Sequence, residues 1–571
     1  MALTDINSTS ACLNFIKEAR AENIKPVIGV DIRNGITQEY VVLAKNNDGF
    51  EELNNFLSKH LHEQKAFPEL APIFKDCFIV YPFEKVLELE LKAFTPNQFI
   101  GISIKNASRL KFSKYKNFKE QLVIQQQVTF RTKKDFNAHR LLRAIDLNTL
   151  LSKLPVSEES DIEDKLIPLE KLLYHYSDFE TIAENTKRIL NSCNVVFHFD
   201  DDRINQNQII YLNSKDEDFA CLKQLCKDRI QNRYKAITPK IKNRIKKELD
   251  AIKAMDFVSY FLINNDILEY ARSKNYPYIG RGSGSNSVVA YILGITNVDP
   301  IELDLYFERF INIFRNSPPD FDIDFSWKDR DDITNYIFNR FKNTALMGTY
   351  VTFQYRAVIR ELGKVFGLPK EEIDNFLKGY KNNKNEVNSE YLRLITVYAK
   401  LIHGFPNYLS VHSGGIVITQ KPITCYTSTF LPPKGFPTIQ IDMNIAEEVG
   451  IFKYDILAQR GLSKIKDCIE IIEYNQPNVN IHDIDDCEAF KNDDTINELL
   501  KTGDCMGVFY VESPAMRTLM TKLQTDNYLN LVAASSIIRP GVSNGGMKNE
   551  FILRHRIPEK RKEAHPVMLK I

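Results

Sequence analysis

Residues 319–325 show the clearest alternation of apolar and polar positions in the chain. The segment reads Pro-Asp-Phe-Asp-Ile-Asp-Phe, with a carboxylate at every second position and a bulky apolar side chain between them. Successive side chains of a β-strand point to opposite faces, so Asp320, Asp322 and Asp324 share one face. The pattern predicts a tightly held strand that presents three carboxylates on one side and packs into a core on the other.

A second alternating stretch lies at residues 451–457, far from the first along the chain. It predicts a strand with Lys453 and Asp455 on one face and apolar side chains on the other. An exposed strand with a surface salt bridge is one interpretation. The other is a fourth carboxylate and a phosphate-binding lysine that join the carboxylates of residues 319–325.

The remaining periodicities divide the chain into α/β and helical stretches. They predict an α/β region from residue 1 to about 195 (with buried strands at 25–30 and 40–44), charged helices from about 215 to 275, a compact helical insert at about 352–410, a strand at 411–418, and helices with Gly/Pro loops from about 461 to 571. Residues 260–263 are continuously apolar and are expected in a core.

Composition narrows the class of protein. A chain of 571 residues exceeds what one core accommodates and predicts several domains. Its 75 basic and 74 acidic residues nearly cancel, so any nucleic-acid surface must come from local clustering. The nine cysteines include no Cys-x-x-Cys pair, and no apolar run approaches the ~20 residues of a membrane span. We therefore expect a cytoplasmic protein.

Three carboxylates on one strand face repel one another unless a cation lies among them. Mg²⁺ takes oxygen ligands of this kind, which makes the strand a candidate frame for metal-dependent phosphoryl transfer. An EF-hand loop that begins at Asp320 would need Gly and Glu where Phe325 and Asp331 stand, so that alternative is excluded. A solvated strand edge is the remaining alternative, and the interleaved bulky residues argue against it.

Small residues at positions 280–285 (Gly-Arg-Gly-Ser-Gly-Ser) precede an apolar helical pattern. Such a loop at a helix N-terminus can bind anions through its backbone, although a plain flexible turn is equally compatible. Arg309 follows between two aromatic residues. It either pairs with Glu308 or another acid, or directs a rigid guanidinium towards phosphate. The dense basic run at residues 240–247 is best interpreted as a solvated helix face.

Two features of the later chain have structural and functional interpretations. Arg356, Arg360 and Lys364 recur at four-residue spacing, which places them on one helix face. Such a stripe is usually a wet surface, and it would also suit a DNA backbone. His412 is an isolated histidine in an apolar stretch, for which we expect a structural role with its hydrogen bonds satisfied.

The order and content of these blocks resemble the bacterial C-family replicative DNA polymerases, typified by the DNA polymerase III alpha subunit. The resemblance extends over essentially the whole chain. It is carried by residues 280–285, 307–312, 319–325 and 452–457, with further similarity at 255–263, 356–367, 503–513 and 539–541.

The resemblance implies an α/β multidomain fold whose palm is of the nucleotidyltransferase type, like that of polymerase beta, with a mixed sheet. The implied domains are a partial, degenerate PHP-like β/α domain (1–198), the first part of the palm (199–351), a helical thumb insert (352–411), the second part of the palm (412–460) and the beginning of helical fingers (461–571). The abrupt first and last residues predict a piece of a longer protein, without the remaining fingers, the clamp-binding segment and the C-terminal domains.

The same resemblance assigns roles to individual residues. Asp320, Asp322 and Asp455 match the three catalytic aspartates, which hold two Mg²⁺ ions, and Asp324 is a supporting acid. The residues implied to bind the incoming triphosphate are Gly282, Ser283, Arg309, Lys453 and Arg539. Arg356, Arg360 and Lys364 fall in the thumb and are candidates for DNA binding.

The implied activity is template-directed DNA synthesis from deoxynucleoside triphosphates on a primer 3′-hydroxyl. Primer-template DNA is the implied partner, joined in the full-length protein by a sliding clamp, a clamp loader and a proofreading exonuclease. Two alternatives stay open: a catalytically incompetent DNA-binding fragment and another metal-dependent nucleotidyltransferase. The PHP-like region departs from the family, because Thr4-Asp5-Ile6 and residues 125–130 lack the expected histidines. We therefore expect a scaffold without metal there.

Overall fold

A computed structural model describes residues 1–199, 204–309, 318–378, 389–478, 490–508, 510–538 and 546–563. The chain divides into two compact units. The first comprises Met1–Phe325 and Asp329–Ala458, and the second comprises Ser326–Lys328 and Gln459–Ile571. Within these described stretches, no helix combines the length and apolar character needed to span a membrane.

Residues 1–199 contain six strands and the helices that connect and follow them. In chain order they are β1 (Ala2–Ile6), α1 (Cys12–Ala21), β2 (Val27–Asn34), β3 (Thr37–Ala44), α2 (Asn47–Glu63), β4 (Cys77–Pro82), α3 (Phe83–Glu88), β5 (Gln98–Ile102), α4 (Ile104–Lys111), β6 (Leu122–Ile124), α5 (Lys133–Asp146), α6 (Leu169–Tyr174) and α7 (Glu180–Ser192). These strands form a sheet in the order β1-β2-β3-β4-β5-β6. Only β3 is antiparallel to its neighbours.

Both faces of this six-stranded sheet are covered by apolar side chains. Val42 packs on one face with Leu53 of α2, and Val41 packs on the other face with Ile189 of α7. A sheet buried on both sides needs apolar residues at consecutive positions, which is why residues 40–44 are continuously apolar. The strands predicted at 25–30 and 40–44 are confirmed as β2 and β3.

The rest of the first unit is built on a second sheet. Its elements are α8 (Lys215–Arg233), α9 (Pro239–Ala254), α10 (Val258–Ser273), β7 (Tyr278–Arg281), α11 (Val288–Leu293), β8 (Asp322–Ser326), α12 (Arg330–Arg340), β9 (Thr344–Thr352), α13 (Tyr355–Val365), α14 (Lys370–Leu377), α15 (Ser389–Ile402), β10 (Pro406–Ile418), β11 (Thr429–Phe430), β12 (Thr438–Ile439), α16 (Met443–Glu448) and β13 (Lys453–Gln459). In the described residues the sheet order is β11-β12-β9-β10-β13-β8-β7.

Three apolar cores organise this region. The largest joins α8–α11 to β8 and β13, and it includes the predicted core segment at residues 260–263. A second core joins Leu13 and Phe50 of the N-terminal region to Val417 and Ile439 of the second sheet. A third packs α5 against α13 and α15. The helical insert therefore shares an apolar core with α5 of the N-terminal region.

The second unit is helical, as its sequence predicts. It contains α17 (Arg460–Asn475), α18 (Asp494–Thr502), α19 (Pro514–Leu523), α20 (Tyr528–Ile537) and α21 (Met547–Arg556). Its core is small and is formed by α18–α21 around Leu519, Met520 and Ala534.

Candidate active site

The carboxylate strand β8 alternates as predicted. Phe321, Ile323 and Phe325 are buried with exposed fractions of 2%, 0% and 0%. On the other face Asp320 is exposed, Asp322 is half-buried and Asp324 is buried. β8 lies between β13 and β7 in the sheet, so the alternative of a solvated strand edge is wrong.

The second alternating stretch forms β13, which lies directly beside β8. Lys453 and Asp455 are ion-paired on one face, with side chains only 14% and 8% exposed, while Tyr454 between them is buried. The alternative of an exposed salt-bridging strand is therefore wrong. Two strands that are more than 120 residues apart in sequence bring Asp322 and Asp455 into one cluster.

The charges of this cluster act on one another. Burial raises the pKa of Asp322, Arg281 and Lys453 lower it, and the neighbouring Asp455 and Asp320 raise it further. Burial alone would lower the pKa of Lys453, but its hydrogen bond to Asp455 and the charges of Asp455 and Asp320 leave that pKa raised. The site is therefore one electrostatic unit in which acids repel each other and basic side chains partly offset the repulsion.

Arg281 is a site residue that the sequence interpretation did not assign. It stands opposite Asp322 in the antiparallel pairing of β7 with β8. Its guanidinium donates to Asp322 Oδ2 at 2.8 Å and to Asp324 Oδ2 at 2.5 Å. The hydrogen bond to Asp324, with the charges of both acids, raises the pKa of Arg281. The only sequence signal was its place in the Gly-Arg-Gly-Ser block.

The glycine-serine loop (residues 280–286) is fastened to the start of the carboxylate strand. The Gly284 N–H donates to the Asp320 carbonyl at 3.0 Å, and the Asp320 N–H donates to Ser283 Oγ at 3.0 Å. Since the Ser283 hydroxyl acts there as an acceptor, its own hydrogen can serve another group. The alternative of a plain flexible turn does not fit these contacts.

Glycine is required at two positions of this loop. Gly282 has φ +94°, and a Cβ there would lie 2.5 Å from the Asp320 carbonyl oxygen. A Cβ on Gly284 would lie 2.1 Å from the ring of Phe321. The loop can therefore approach the carboxylate strand closely only because these two residues lack side chains.

The other predicted phosphate ligands are only partly described. Arg309 ends a short 3₁₀ helix (Phe307–Arg309), but its side chain lies outside the described residues. Arg539 also lies outside them. Their assignments therefore stay predictions.

The predicted DNA-binding stripe forms an exposed face of α13. The Arg360 guanidinium lies 3.5 Å from Asp374 Oδ1 of α14, and Lys364 Nζ lies 2.7 Å from Glu361 Oε1 of its own helix. These partners belong to the helical insert and not to the carboxylate sheet. Arg356 is exposed as well. The stripe thus has the solvent exposure that a DNA-backbone contact requires, and it stays a prediction.

His412 has the structural role expected of it. It lies where the pairing of β10 with β9 shifts register. Its Nδ1 accepts the Gly415 N–H at 2.9 Å and the Gly414 N–H at 3.4 Å. Burial lowers its pKa, the charge of Asp455 raises it and that of Lys453 lowers it, with a net decrease. His412 thus stabilises the register shift of β10 through these two hydrogen bonds.

The carboxylates fit a divalent cation chemically. Oδ2 of Asp455 bonds Lys453, whereas Oδ1 is buried and has no hydrogen-bond partner among the described residues. A buried carboxylate oxygen left without a donor is costly unless something else satisfies it, and a hard cation would do so. No described group of three His, Cys, Asp or Glu side chains is already arranged to hold one ion. In this structure the positive charge beside the carboxylates comes from the side chains of Arg281 and Lys453.

Comparisons with known proteins agree with this architecture. Residues 1–103 match the model of the PHP domain, residues 220–458 the bacterial DNA polymerase III alpha NTPase domain, and residues 461–571 the bacterial DNA polymerase III alpha subunit finger domain.

Relatives in bacteria carry two related names. An error-prone DNA polymerase of Symbiobacterium thermophilum is 30% identical over 466 residues, covering 78% of this chain and 42% of the relative. The DNA polymerase III alpha subunits of Buchnera aphidicola (subspecies Schizaphis graminum) and Bacillus subtilis are 29% and 28% identical, covering 97% and 95% of this chain and 53% and 52% of the relatives. The chain thus spans about half the length of the curated relatives it matches. It belongs to the family of bacterial DNA polymerase III alpha subunits.

Proposed function

We propose that this chain carries the nucleotidyl-transfer site of template-directed DNA synthesis. The observation that carries the proposal is that Asp322 and Asp455 lie on adjacent strands, with one Asp455 oxygen that has no hydrogen-bond partner among the described residues. A loop suited to phosphate binding is fastened to the same strand through Asp320. Family membership adds that relatives named as DNA polymerases share both regions of the chain.

In this proposal Asp320, Asp322 and Asp455 hold two Mg²⁺ ions. When bound, such ions lower the pKa of an attacking hydroxyl and stabilise the charge of the leaving pyrophosphate. Asp324 is buried and accepts a hydrogen bond from Arg281, which supports its proposed role as a supporting acid.

The triphosphate is assigned to the neighbouring loop and cations. The Ser283 hydroxyl and the backbone around Gly282 face the carboxylate strand, where they can donate to phosphate oxygens. Lys453 is fixed by its bond to Asp455 and supplies positive charge where charge develops on the phosphates. Arg309 and Arg539 complete the predicted set of phosphate contacts.

The larger assignments follow the same proposal. The PHP-like region is 1–198, the palm comprises 199–351 and 412–460, the thumb is 352–411 and the fingers begin at 461. The thumb stripe of Arg356, Arg360 and Lys364 is proposed to contact the primer-template backbone. Contacts with a sliding clamp, a clamp loader and an exonuclease, and a cytoplasmic location, are proposed for the whole protein.

Single-nucleotide primer extension tests the function. The 571-residue chain, a primed DNA template, one complementary deoxynucleoside triphosphate and Mg²⁺ should give an extended primer. Asp322→Ala should abolish extension while the fold is retained. Asp331→Ala, which removes an exposed acid from α12, is the matched control and should extend normally.

The outcomes separate the alternatives. Equal extension by the parent and by Asp322→Ala would remove Asp322 from the catalytic set. Salt-dependent DNA binding without extension by either chain would identify a DNA-binding fragment. Nucleotide transfer that does not depend on a base-paired primer end would indicate another nucleotidyltransferase.

A further inference from the structure

One side chain of the basic run on α9 turns away from solvent. Lys242, Lys246 and Lys247 are exposed, as expected for a solvated helix face. Arg244 instead has a side chain only 17% exposed, and its Nε donates to Glu248 Oε1 at 2.6 Å one turn further along the helix. Glu248 has no exposed surface. The interpretation of this run as a purely solvated face is therefore wrong at Arg244.

Glu248 fastens the start of α11. Its Oε2 accepts the Ser287 hydroxyl at 2.7 Å and the Val289 N–H at 3.1 Å. Ser287 Oγ in turn accepts the Ala290 N–H at 3.1 Å, which caps the helix. Since Ser287 directly follows the glycine-serine loop, the carboxylate fixes the point at which that loop enters its helix.

Arg244 reaches two further segments with the rest of its guanidinium. Its NH2 group donates to the Leu305 carbonyl at 3.0 Å and to the Asn286 carbonyl at 3.4 Å. The guanidinium also lies 5.3 Å from the ring centre of Phe307, which is buried. A second link from α9 joins Lys247 to Glu308 at 2.5 Å. The segment that leads to Arg309 is thus attached to the same helix as the glycine-serine loop.

A buried ion pair is a poor choice where only stability is needed, because desolvation offsets much of the attraction between the charges. Here the pair satisfies two carbonyls, one hydroxyl and one N–H that belong to two separate segments. A planar guanidinium with several donors can serve both carbonyls and the carboxylate at once, which an ammonium group does poorly. The arrangement fixes the spacing between the segments.

We propose that the Arg244–Glu248 pair positions the glycine-serine loop and the segment 305–308 relative to each other, so that the phosphate contacts assigned to the loop and to the following Arg309 can form together. This inference rests on the proposed function. The described contacts of both residues are with the loop, the segment and the start of α11, so both act through the elements that they hold. Loss of their fork geometry should therefore weaken nucleotide binding before it changes the chemical step.

Arg244→Lys in the full chain tests the positioning role. The lysine keeps a positive charge beside Glu248 but cannot hold the carbonyls of Asn286 and Leu305 together. We expect the KM for the deoxynucleoside triphosphate in primer extension to rise about tenfold, since small misplacements of binding groups are costly. The kcat at saturating nucleotide and the affinity for primer-template DNA should stay close to those of the parent.

Two further variants make the result interpretable. Glu248→Gln keeps acceptor and donor atoms in the same shape but removes the charge that orients Arg244, so it should also raise KM. Lys246→Ala removes an exposed basic residue of the same helix and should leave KM unchanged. The thermal unfolding midpoint of each variant, measured by circular dichroism, reports any purely structural damage.

Each outcome bears on a different statement. Extension by the parent with an unchanged KM in both Arg244→Lys and Glu248→Gln would overturn the positioning role alone. A KM that changes only together with kcat and the unfolding midpoint would show a merely structural pair, which also overturns it. A parent chain that neither extends a primer nor binds the nucleotide in equilibrium dialysis would contradict the proposed function, and the inference with it.

Discussion

Both sheets of the first unit hold buried acids that are paired with basic side chains. The sheets differ in whether the remaining carboxylate oxygens also have partners. In the six-stranded sheet Asp31 accepts from Arg33 at 2.9 Å through one oxygen and from Gln38 at 2.8 Å through the other. Glu39 forms an ion pair with Lys85 at 2.7 Å, with side chains 4% and 5% exposed. Each of these two carboxylates has a cation beside it, and Glu39 Oε2, which accepts no hydrogen bond from a described residue, faces the Lys85 ammonium.

Polar side chains from neighbouring strand ends close this network. The Arg33 N–H donates to Asn7 after β1, and the Arg33 guanidinium donates to Gln127 after β6. Gln125 donates to Gln38 at 3.4 Å. Gln125 and Gln127 thus contribute amide groups to a network of protein atoms.

The seven-stranded sheet leaves its network open. Asp320 is exposed, and Asp455 keeps one buried oxygen without a partner among the described residues. Burial raises the pKa of Asp31 and of Asp322 alike, but Asp322 also has Asp455 and Asp320 beside it, which raise its pKa further. A network in which every buried polar group has a partner stabilises a fold. A network with an unpartnered group can instead bind a further charged ligand. This difference, and not the number of acids, distinguishes the candidate active site from the six-stranded sheet.

Removing one charged side chain from each of the two networks should produce the largest effects. Asp455→Ala is expected to lower primer extension at least about a thousandfold, because metal ligands supply several kcal/mol of transition-state stabilisation. Lys85→Met should instead leave Glu39 buried and unpaired, and should lower the free energy of unfolding by about 3–5 kcal/mol. Extension rates and urea unfolding midpoints measured on both variants test the comparison.

The control for Lys85→Met is the double variant Glu39→Gln with Lys85→Met, which removes both charges and should recover part of the lost stability. Near-normal extension by Asp455→Ala would break the comparison from one side. A Lys85→Met chain as stable as the parent would break it from the other, because the six-stranded network would then not hold the fold.

The apolar face of residues 319–325 gives the next prediction, which concerns the stability of the fold. Phe321 packs against the rings of Tyr260 and Phe261, with centroids 5.6 Å and 5.1 Å away. Phe321→Ala should lower the free energy of unfolding by about 3–5 kcal/mol, as loss of a buried phenylalanine does. Tyr306→Ala, which removes a ring that is 68% exposed, is the control and should change it by less than about 0.5 kcal/mol. Equal denaturant midpoints for the two variants would show that this face is not a core.

The alternation of residues 319–325 and 451–457 was enough to predict both strands and their buried faces, whereas the meeting of Asp455 with the acids of residues 319–325 was implied only by the family resemblance. Alternation is a local signal, and each segment carries it without help from the rest of the chain. The sequence also indicated the glycine-serine loop and its helix, because the small residues are required by close approach to Asp320 and Phe321.

Arg281 and Arg244 could not be assigned in this way. The contact of Arg281 with Asp322 depends on the register between β7 and β8, which are about 40 residues apart in sequence. The inward turn of Arg244 depends on carbonyls supplied by two distant loops. The packing of α5 on α13 and α15 is likewise a long-range contact with no local pattern. Local periodicity predicts faces, and tertiary register decides which charged residues meet on them.

The smallest expected effect concerns the cost of holding Asp322 ionised. Its pKa in the folded chain is raised above the ordinary aspartate value, chiefly by burial. Between the unfolded and folded pKa values the folded chain binds more protons than the unfolded chain, so stability falls as pH rises through that window.

At neutral pH the cost is fully present, and Asp322→Asn, which cannot ionise, should have a slightly higher unfolding midpoint than the parent in the presence of a chelator. The difference should shrink as pH is lowered towards the ordinary aspartate range. A parent chain more stable at pH 7 than Asp322→Asn would show that Arg281 and Lys453 already satisfy this acid, and would make the second sheet as closed as the first.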